Sequence, residues 1–118
     1  MELSFKKSSI LSCLFISSFI FSEEWKIFPS DSVQDDIQSA MILAQEGDTI
    51  SLAAGIYNLN HGLSLDVDNI TFKGEGHKRT ILNFSEQKTG AQGLLVTSNN
   101  ITLKDFAVEN AKGDAIKS

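Results

Sequence analysis

Acidic side chains at short spacing are the first residues in this chain that could perform chemistry. Asp66 and Asp68 are two residues apart in a segment that alternates like a strand, so their carboxylates share one face. Paired carboxylate oxygens suit Ca²⁺, which prefers oxygen ligands. The pair predicts a calcium site, and a solvated face beside a turn, with Asp68 and Asn69 as turn residues, is the alternative.

Three further acidic residues indicate a groove that could contact a sugar. Asp105 and Glu109 are four residues apart, and Asp114 follows Gly113 at the start of another strand-like run. A glycosidase places two carboxyl groups about 5–10 Å apart across its sugar, but the sequence does not bring these side chains together. We assign substrate binding to Asp114 alone, with a turn residue as the alternative, and we assign no catalytic residue.

Basic and aromatic residues offer other contacts with a sugar. A lyase needs a base that abstracts an acidic proton, and Lys73 is a candidate. Lys73 and Lys104 occupy matching positions of a repeated segment, however, which favours a row of lysines on a solvent-exposed face. Trp25 and Tyr57 are the aromatic residues best suited to stack on a sugar, and packing near the N-terminal end of the fold is the alternative.

A repeated segment indicates how the elements that carry these residues are built. Residues 69–74 read Asn-Ile-Thr-Phe-Lys-Gly, and residues 100–105 read Asn-Ile-Thr-Leu-Lys-Asp. Ile70 and Ile101 are 31 residues apart (101 − 70), Ile50 and Ile70 are 20 apart (70 − 50), and Leu94 and Ile116 are 22 apart (116 − 94). Such near-repeats indicate one unit stacked on another, with one bulging loop in the longer spacing.

The segments between the turns predict strands. They are short, they alternate or are β-branched, and Gly, Asn and Asp punctuate them. Asn69, Asn100 and Asn110 recur at their edges, where stacked asparagines can hydrogen-bond to one another. Parallel stacked strands are predicted, with an antiparallel sandwich as the alternative. The predicted strands cover residues 25–28, 49–52, 63–67, 70–73, 80–84, 93–97 and 101–108.

One segment, at about residues 32–46, predicts a helix. Asp31 or Ser32 is the expected cap, with Gln34 or Asp35 completing a capping box, and Gly47 is the expected stop. An apolar stripe at helical spacing gives the helix one buried face. The stripe consists of Val33, Ile37, Ala40, Met41 and Ala44.

The ordered fragments resemble the right-handed parallel β-helix proteins of the pectate-lyase-like superfamily. The likeness covers residues 27–118 and rests on residues 37–40, 47–57, 63–65, 69–76 and 80–84. It implies an all-β fold, a right-handed parallel β-helix of about four coils, with the amphipathic helix as an N-terminal cap. In the family, residues 47–50 would start the first coil and residues 55–57 would turn it.

The same resemblance bears on function. The family contains polysaccharide lyases, epimerases and hydrolases, and also surface proteins without known chemistry, so it implies a carbohydrate-related role and no catalytic assignment. Members usually have many coils, so residues 23–118 are expected to be the N-terminal part of a longer domain. An uncovered last coil would expose unpaired backbone groups and could mediate self-association.

The first 22 residues have the pattern of a secretory signal peptide. Lys6 and Lys7 precede an apolar run over residues 10–21, and Ser22 precedes charged residues. The run is shorter than the roughly 20 apolar residues that cross a bilayer. Cys13, the only cysteine, has too few apolar residues before it to be a lipoprotein attachment site. We therefore expect cleavage after Ser22 and an exported protein without a membrane span.

Net charge limits the partners. The chain carries a formal charge of −5, and removal of two lysines and one glutamate with the signal leaves −6 on 96 residues (118 − 22). This negative net charge argues against nucleic acid and anionic membranes as binding partners. An anionic polysaccharide would need a local basic groove or bound cations.

The sequence therefore predicts an exported protein that binds or processes polysaccharide, with lyase or epimerase chemistry ranked above hydrolysis and placed in coils beyond residue 118. Ca²⁺ is the only cofactor expected. The alternative is a non-catalytic structural or adhesive surface protein.

Overall fold

The computed structural model describes residues 22–90 and 92–118. The predicted signal peptide lies outside these ranges except for Ser22, and Cys13 lies outside them as well. The described residues form short strands and one helix. These are β1 (Glu24–Ile27), α1 (Val33–Leu43), β2 (Thr49–Leu52), β3 (Gly55–Asn58), β4 (Leu63–Leu65), β5 (Thr71–Lys73), β6 (Thr80–Asn83), β7 (Leu94–Val96), β8 (Thr102–Lys104), β9 (Ala107–Glu109) and β10 (Ile116–Lys117).

The strands form three parallel sheets. Sheet A has the order β1-β2-β5-β8, sheet B has β3-β6-β9, and sheet C has β4-β7-β10. Every strand pair in the described residues is parallel. From β2 onward the chain visits A, B and C in the same order three times. The prediction of an all-β fold with parallel strands is confirmed, and the antiparallel sandwich is excluded.

The repeated segments lie side by side in sheet A. Phe72 pairs with Leu103, and Lys73 pairs with Lys104, so the spacing of 31 is the register that the sequence predicted. Leu94 pairs with Ile116, which confirms the spacing of 22. The spacing of 20 is wrong, because Ile50 pairs with Phe72, 22 residues later (72 − 50).

Two corners account for the longer spacing. Residues 53–54 connect β2 to β3, whereas residues 74–79 connect β5 to β6. The larger difference lies at the next corner. Residues 59–62 connect β3 to β4, whereas residues 84–93 connect β6 to β7 at the same corner. Leu59 and Phe84 begin these connections, and both side chains are fully buried. The extra residues include Gln87, which is buried and whose Nε2 donates to the Gln92 carbonyl. The sequence predicted one bulging loop. The structure divides the nine extra residues (31 − 22) between the β5–β6 corner, with three (25 − 22), and the β6–β7 loop, with six (31 − 25).

Most predicted strands are one or two residues longer or shifted at their ends, and the division into strands differs at two further places. The stretch 101–108 is two strands, because Asp105 has a φ of 64° and breaks the extended chain between β8 and β9. Residues 55–57, expected to form a turn, begin β3, which pairs in parallel with β6. A single residue at positive φ ends a strand because its backbone angles lie outside the extended region that strands require.

The apolar core lies between the sheets and under the helix. Inward positions alternate along the strands, as the burial of Ile50, Leu52, Leu63 and Leu65 shows. The whole predicted helical stripe is also buried. Its exposed fractions are Val33 3%, Ile37 0%, Ala40 0%, Met41 1% and Ala44 4%.

Helix α1 is shorter at its C-terminus than predicted, and its start differs in detail. It spans Val33–Leu43, and Ser32 is the N-cap without a side-chain capping bond. The Ser32 hydroxyl donates to Asp36 Oδ2 over 3.1 Å instead, so the predicted capping box does not form. Gly47, with a φ of 94°, belongs to the turn before β2 rather than to the end of the helix.

The helix lies across the first strand of each sheet. It contacts β1, β3 and β4, which are edge strands of sheets A, B and C. Gln38 donates from Nε2 to the Ser64 carbonyl and accepts the Ser64 N–H, both over 3.0 Å. Gln34 Oε1 accepts the N–H groups of Asn60 and His61. Two glutamines thus bind backbone groups that the edge strand β4 and its preceding turn would leave unpaired.

An asparagine stack exists and contains Asn110 as predicted, but Asn58 and Asn83 take the places predicted for Asn69 and Asn100. Asn83 donates to Asn58 Oδ1 over 2.9 Å, and Asn110 donates to Asn83 Oδ1 over 2.7 Å. Asn69 and Asn100 have another role, because both have a φ of 60° two residues before a strand of sheet A. An asparagine tolerates this left-handed conformation better than most residues.

Candidate functional site

The outward face of sheet A carries a row of lysines. Lys26 pairs with Ser51 of β2, Ser51 pairs with Lys73, and Lys73 pairs with Lys104. Neighbouring strands lie about 4.8 Å apart, so the backbone positions of Lys73 and Lys104 are one strand spacing apart. The predicted lysine row is therefore present, and it extends to Lys26.

A groove of about 270 Å³ lies on this face and at the corner that follows it. Phe28, at the end of β1, lines the groove and is 53% exposed. Its floor at the corner requires Gly74, because a Cβ there would lie 2.5 Å from the Asp105 carbonyl oxygen. The polar residues of the lining are Glu24, Lys26, Ser51, Lys73 and Glu75.

Charges in the groove are only partly neutralised. Lys26 lies 3.9 Å from Glu24, whose carboxylate also accepts the Ser51 hydroxyl over 2.6 Å. Glu75 forms an ion pair with Arg79 at 3.7 Å. Within residues 22–90 and 92–118, Lys73 and Lys104 have no carboxylate within ion-pair distance. An anionic ligand would meet two unpaired cations on this face.

Asp66 and Asp68 lie beyond the end of β4 and not in a strand, so the predicted shared strand face is wrong. The Thr97 hydroxyl donates to Asp66 Oδ1 over 2.8 Å, and the Asn99 N–H donates to Asp68 Oδ1 over 2.9 Å. Both carboxylates thus bind the segment that follows β7. In the described part of the chain, no cluster of three or more His, Cys, Asp or Glu residues forms a metal site. Calcium binding by the pair stays a prediction.

The other acidic candidates lie at separate places. Asp105 is at the corner between sheets A and B, Glu109 is on β9 of sheet B, and Asp114 is in the turn before β10. Asp114 is exposed, and its backbone carbonyl accepts the Gly93 N–H over 2.9 Å. None of the three lines the groove on sheet A, so substrate binding by Asp114 stays a prediction.

The aromatic residues singled out from the sequence are core residues. Trp25 is 4% exposed and Tyr57 is fully buried, so neither can stack on a sugar. The Tyr57 hydroxyl donates to the Ala53 carbonyl over 2.8 Å. Phe28 is the aromatic that faces solvent, and sequence reasoning missed it. The alternation in β1 would have identified it, because Trp25 and Ile27 point inward.

Asp48 is a second residue that sequence reasoning missed. It is 1% exposed, and its carboxylate accepts the N–H groups of Glu23 and Gln45 and the indole N–H of Trp25. It holds β1 to the turn before β2. The only sequence signal was a charged residue directly before a buried strand.

Comparison with known proteins gave no match to a family model, a curated protein or a solved structure. Among the residues that the structure describes, no helix has the length and apolar character needed to cross a membrane.

Proposed function

We propose that this chain is the N-terminal part of an exported right-handed parallel β-helix protein that binds an acidic polysaccharide on the outward face of sheet A. The observation that carries the proposal is the in-register row of Lys26, Lys73 and Lys104. It supplies the local basic surface that an acidic protein needs in order to bind an anionic polymer.

The strand order supports the β-helix part of the proposal. Three parallel sheets are visited in a fixed cycle, and the helix covers the first strand of each. In such a coil each turn of the chain adds one strand to every sheet, so identical positions recur along a face. A ligand with a repeating structure fits a surface with a repeating structure.

The groove supports a sugar as the ligand. Phe28 offers an exposed apolar ring, and Ser51 offers a hydroxyl next to the lysines. A sugar ring combines an apolar face with hydroxyl groups, and an acidic sugar adds a carboxylate that lysine can bind. Lys73 and Lys104 would contact carboxylates, and Phe28 would contact a ring face.

A rigid, non-catalytic surface protein is the second candidate. The asparagine stack of Asn58, Asn83 and Asn110 and the paired threonines Thr71 and Thr102 give regular faces that suit a stalk. The carboxylates of Asp66 and Asp68 support adjacent turns in this reading.

Paired charge-removal variants test the binding proposal. Lys73→Gln with Lys104→Gln removes the unpaired cations, and Lys88→Gln with Lys112→Gln removes two exposed lysines outside sheet A. We expect the first variant to weaken binding to polygalacturonate about tenfold at low salt, from roughly 0.7 kcal/mol for each exposed contact. The control variant should bind within twofold of the unmodified protein, measured by titration calorimetry.

Three results would contradict the proposal. The first is an equal loss of affinity in the two variants. The second is no polygalacturonate binding by the unmodified protein, and the third is binding of neutral dextran as tight as that of polygalacturonate. Affinity should also fall as salt rises, because the contacts are exposed and screened. Unchanged melting temperatures in both variants would show that altered folding does not cause the result.

A further inference from the structure

The backbone nitrogen of Glu23 is held inside the protein. Its N–H donates to Asp48 Oδ1 over 2.9 Å, and this hydrogen bond is buried. Glu23 is 7% exposed and Asp48 is 1% exposed, whereas Ser22 is exposed. The peptide bond between Ser22 and Glu23 therefore joins an exposed residue to a buried one.

The position of the Asp48 carboxylate does not depend on Glu23 alone. The Trp25 indole donates to Oδ2 over 3.0 Å, and the Gln45 N–H donates to Oδ2 over 2.9 Å. These two hydrogen bonds, one from β1 and one from the turn before β2, fix the Asp48 carboxylate without help from Glu23. The acceptor for Glu23 is preorganised.

We propose that cleavage between Ser22 and Glu23 turns this N–H into a buried ammonium that pairs with Asp48, so that signal removal strengthens the fold it releases. Water adds across the peptide bond, Ser22 leaves with the carboxylate, and Glu23 keeps the nitrogen as –NH₃⁺. The catalyst is an endopeptidase of the signal peptidase class. The inference rests on the export part of the proposed function and is independent of sugar binding.

The chemistry of the site favours an ammonium. A hydrogen bond between two charged groups is about twice as strong as a neutral one. The ammonium also brings two further N–H donors to a site where Glu23 Oε1 is buried without a hydrogen-bond partner. A buried carboxylate oxygen without a donor is costly, and the new terminus supplies donors on the same residue.

The pH dependence follows from the groups around the nitrogen. The Asp48 carboxylate accepts its N–H, Glu24 and Lys26 on β1 and Glu46 in the turn are exposed, and β2 contains no titratable residue. The Asp48 carboxylate lies at hydrogen-bond distance from this nitrogen, and a neighbouring opposite charge favours the ammonium. We expect the contribution of the pair to be lost at alkaline pH, where the amine gives up its proton.

The exported protein is the material for the test. Its intact mass and N-terminal sequence report the cleavage site, and we expect Glu23 as the first residue. Selective acetylation of the α-amino group keeps one N–H and removes the charge. We expect acetylation to lower the melting temperature at pH 6.5 by about 4–8 °C. This is the shift that a loss of about 1 kcal/mol produces in a domain of this size. The difference should shrink at alkaline pH.

A mature N-terminus other than Glu23 would overturn the proposal, and so would an unchanged melting temperature after acetylation. Asp48→Asn provides a second measurement, because the acetylated and free forms of that variant should melt together. If the variant does not fold, the comparison of acetylated and free unmodified protein still decides. Polygalacturonate binding is measured on the same preparation. A failure to bind would count against the proposed function and not against the pairing of the new N-terminus with Asp48.

Discussion

At the scale of single residues, backbone conformation explains several positions better than side-chain chemistry does. Asn69, Asn100, Asp105 and Asn110 all have φ values between 60° and 64°. Asn100 is the simplest case, because its side chain makes no hydrogen bond in the described residues. Its place in the repeat follows from the left-handed turn before β8.

Substitution of Asn100 separates the backbone effect from side-chain effects. We expect Asn100→Ala to lower the free energy of unfolding by about 1 kcal/mol, because alanine is strained at positive φ. Asn100→Gly should be close to neutral, because glycine adopts this conformation freely. Urea denaturation measures both, and equal losses in the two variants would contradict the backbone explanation.

Tyr57 gives the protein a defined alkaline sensitivity. Burial first and the nearby charge of Glu75 second raise the pKa of the Tyr57 hydroxyl well above its usual 10. The unfolded chain therefore loses this proton at lower pH than the folded protein. Stability from this group is complete below about pH 10 and falls above it by up to about 1.4 kcal/mol per pH unit.

Tyr57→Phe tests this sensitivity without interference, because the chain has one tyrosine. We expect the variant to lose about 1 kcal/mol near pH 7, since the Ala53 carbonyl loses the hydroxyl donor. Above pH 10 its stability should decline less steeply than that of the unmodified protein. Parallel pH profiles of urea unfolding would show this, and equal slopes would rule it out.

At the scale of elements, helix α1 protects edge strands as well as burying an apolar stripe. Gln38 binds both backbone groups of Ser64 on β4, as a neighbouring strand would. Periodicity predicted the stripe, but the glutamines lie on a polar face whose partners are 26 residues away. Their role depends on where the helix docks.

Gln38→Ala tests the contribution of this contact. We expect a loss of about 1 kcal/mol and faster exchange of the Ser64 amide hydrogen, because the N–H loses its acceptor. Gln45→Ala is the matched control, since Gln45 is exposed and uses only its backbone N–H and carbonyl in the described contacts. Amide hydrogen exchange followed by NMR distinguishes them, and unchanged Ser64 protection would contradict the role.

At the scale of the whole molecule, the two ends of the sheet stack differ. Helix α1 covers the end formed by β1, β3 and β4, whereas β8, β9 and β10 are edge strands without a neighbour in the described residues. Leu103, Phe106 and Val108 are only partly buried at this edge. Unpaired strand edges with apolar side chains promote association.

We therefore expect residues 23–118, produced alone, to self-associate through β8–β10. Leu103→Lys with Val108→Lys should shift the protein toward monomer, because charge at the edge opposes pairing. Ile42→Lys with Leu43→Lys, on the exposed side of the helix, is the control. Sedimentation velocity over a concentration series measures the result, and monomer at all concentrations would contradict the expectation.

The sequence by itself determined the repeating parallel-strand character, the single helix and its buried stripe. These features are local or periodic: alternation, apolar spacing and two near-identical segments report which residues point inward and which lie side by side. The pairing of Lys73 with Lys104 follows from that repeat. It is the part of the candidate site that was predictable.

The tertiary structure decided what periodicity does not encode. Alternation puts Trp25 and Phe28 on opposite faces, but which of these faces is buried, and the pairing of Ile50 with Phe72, depend on how the strands dock. Asp48 gains its partners only when residues 23 and 25 are brought onto its turn. Distant contacts between residues that the repeat does not relate are set by docking, because a short local pattern carries no information about such a partner.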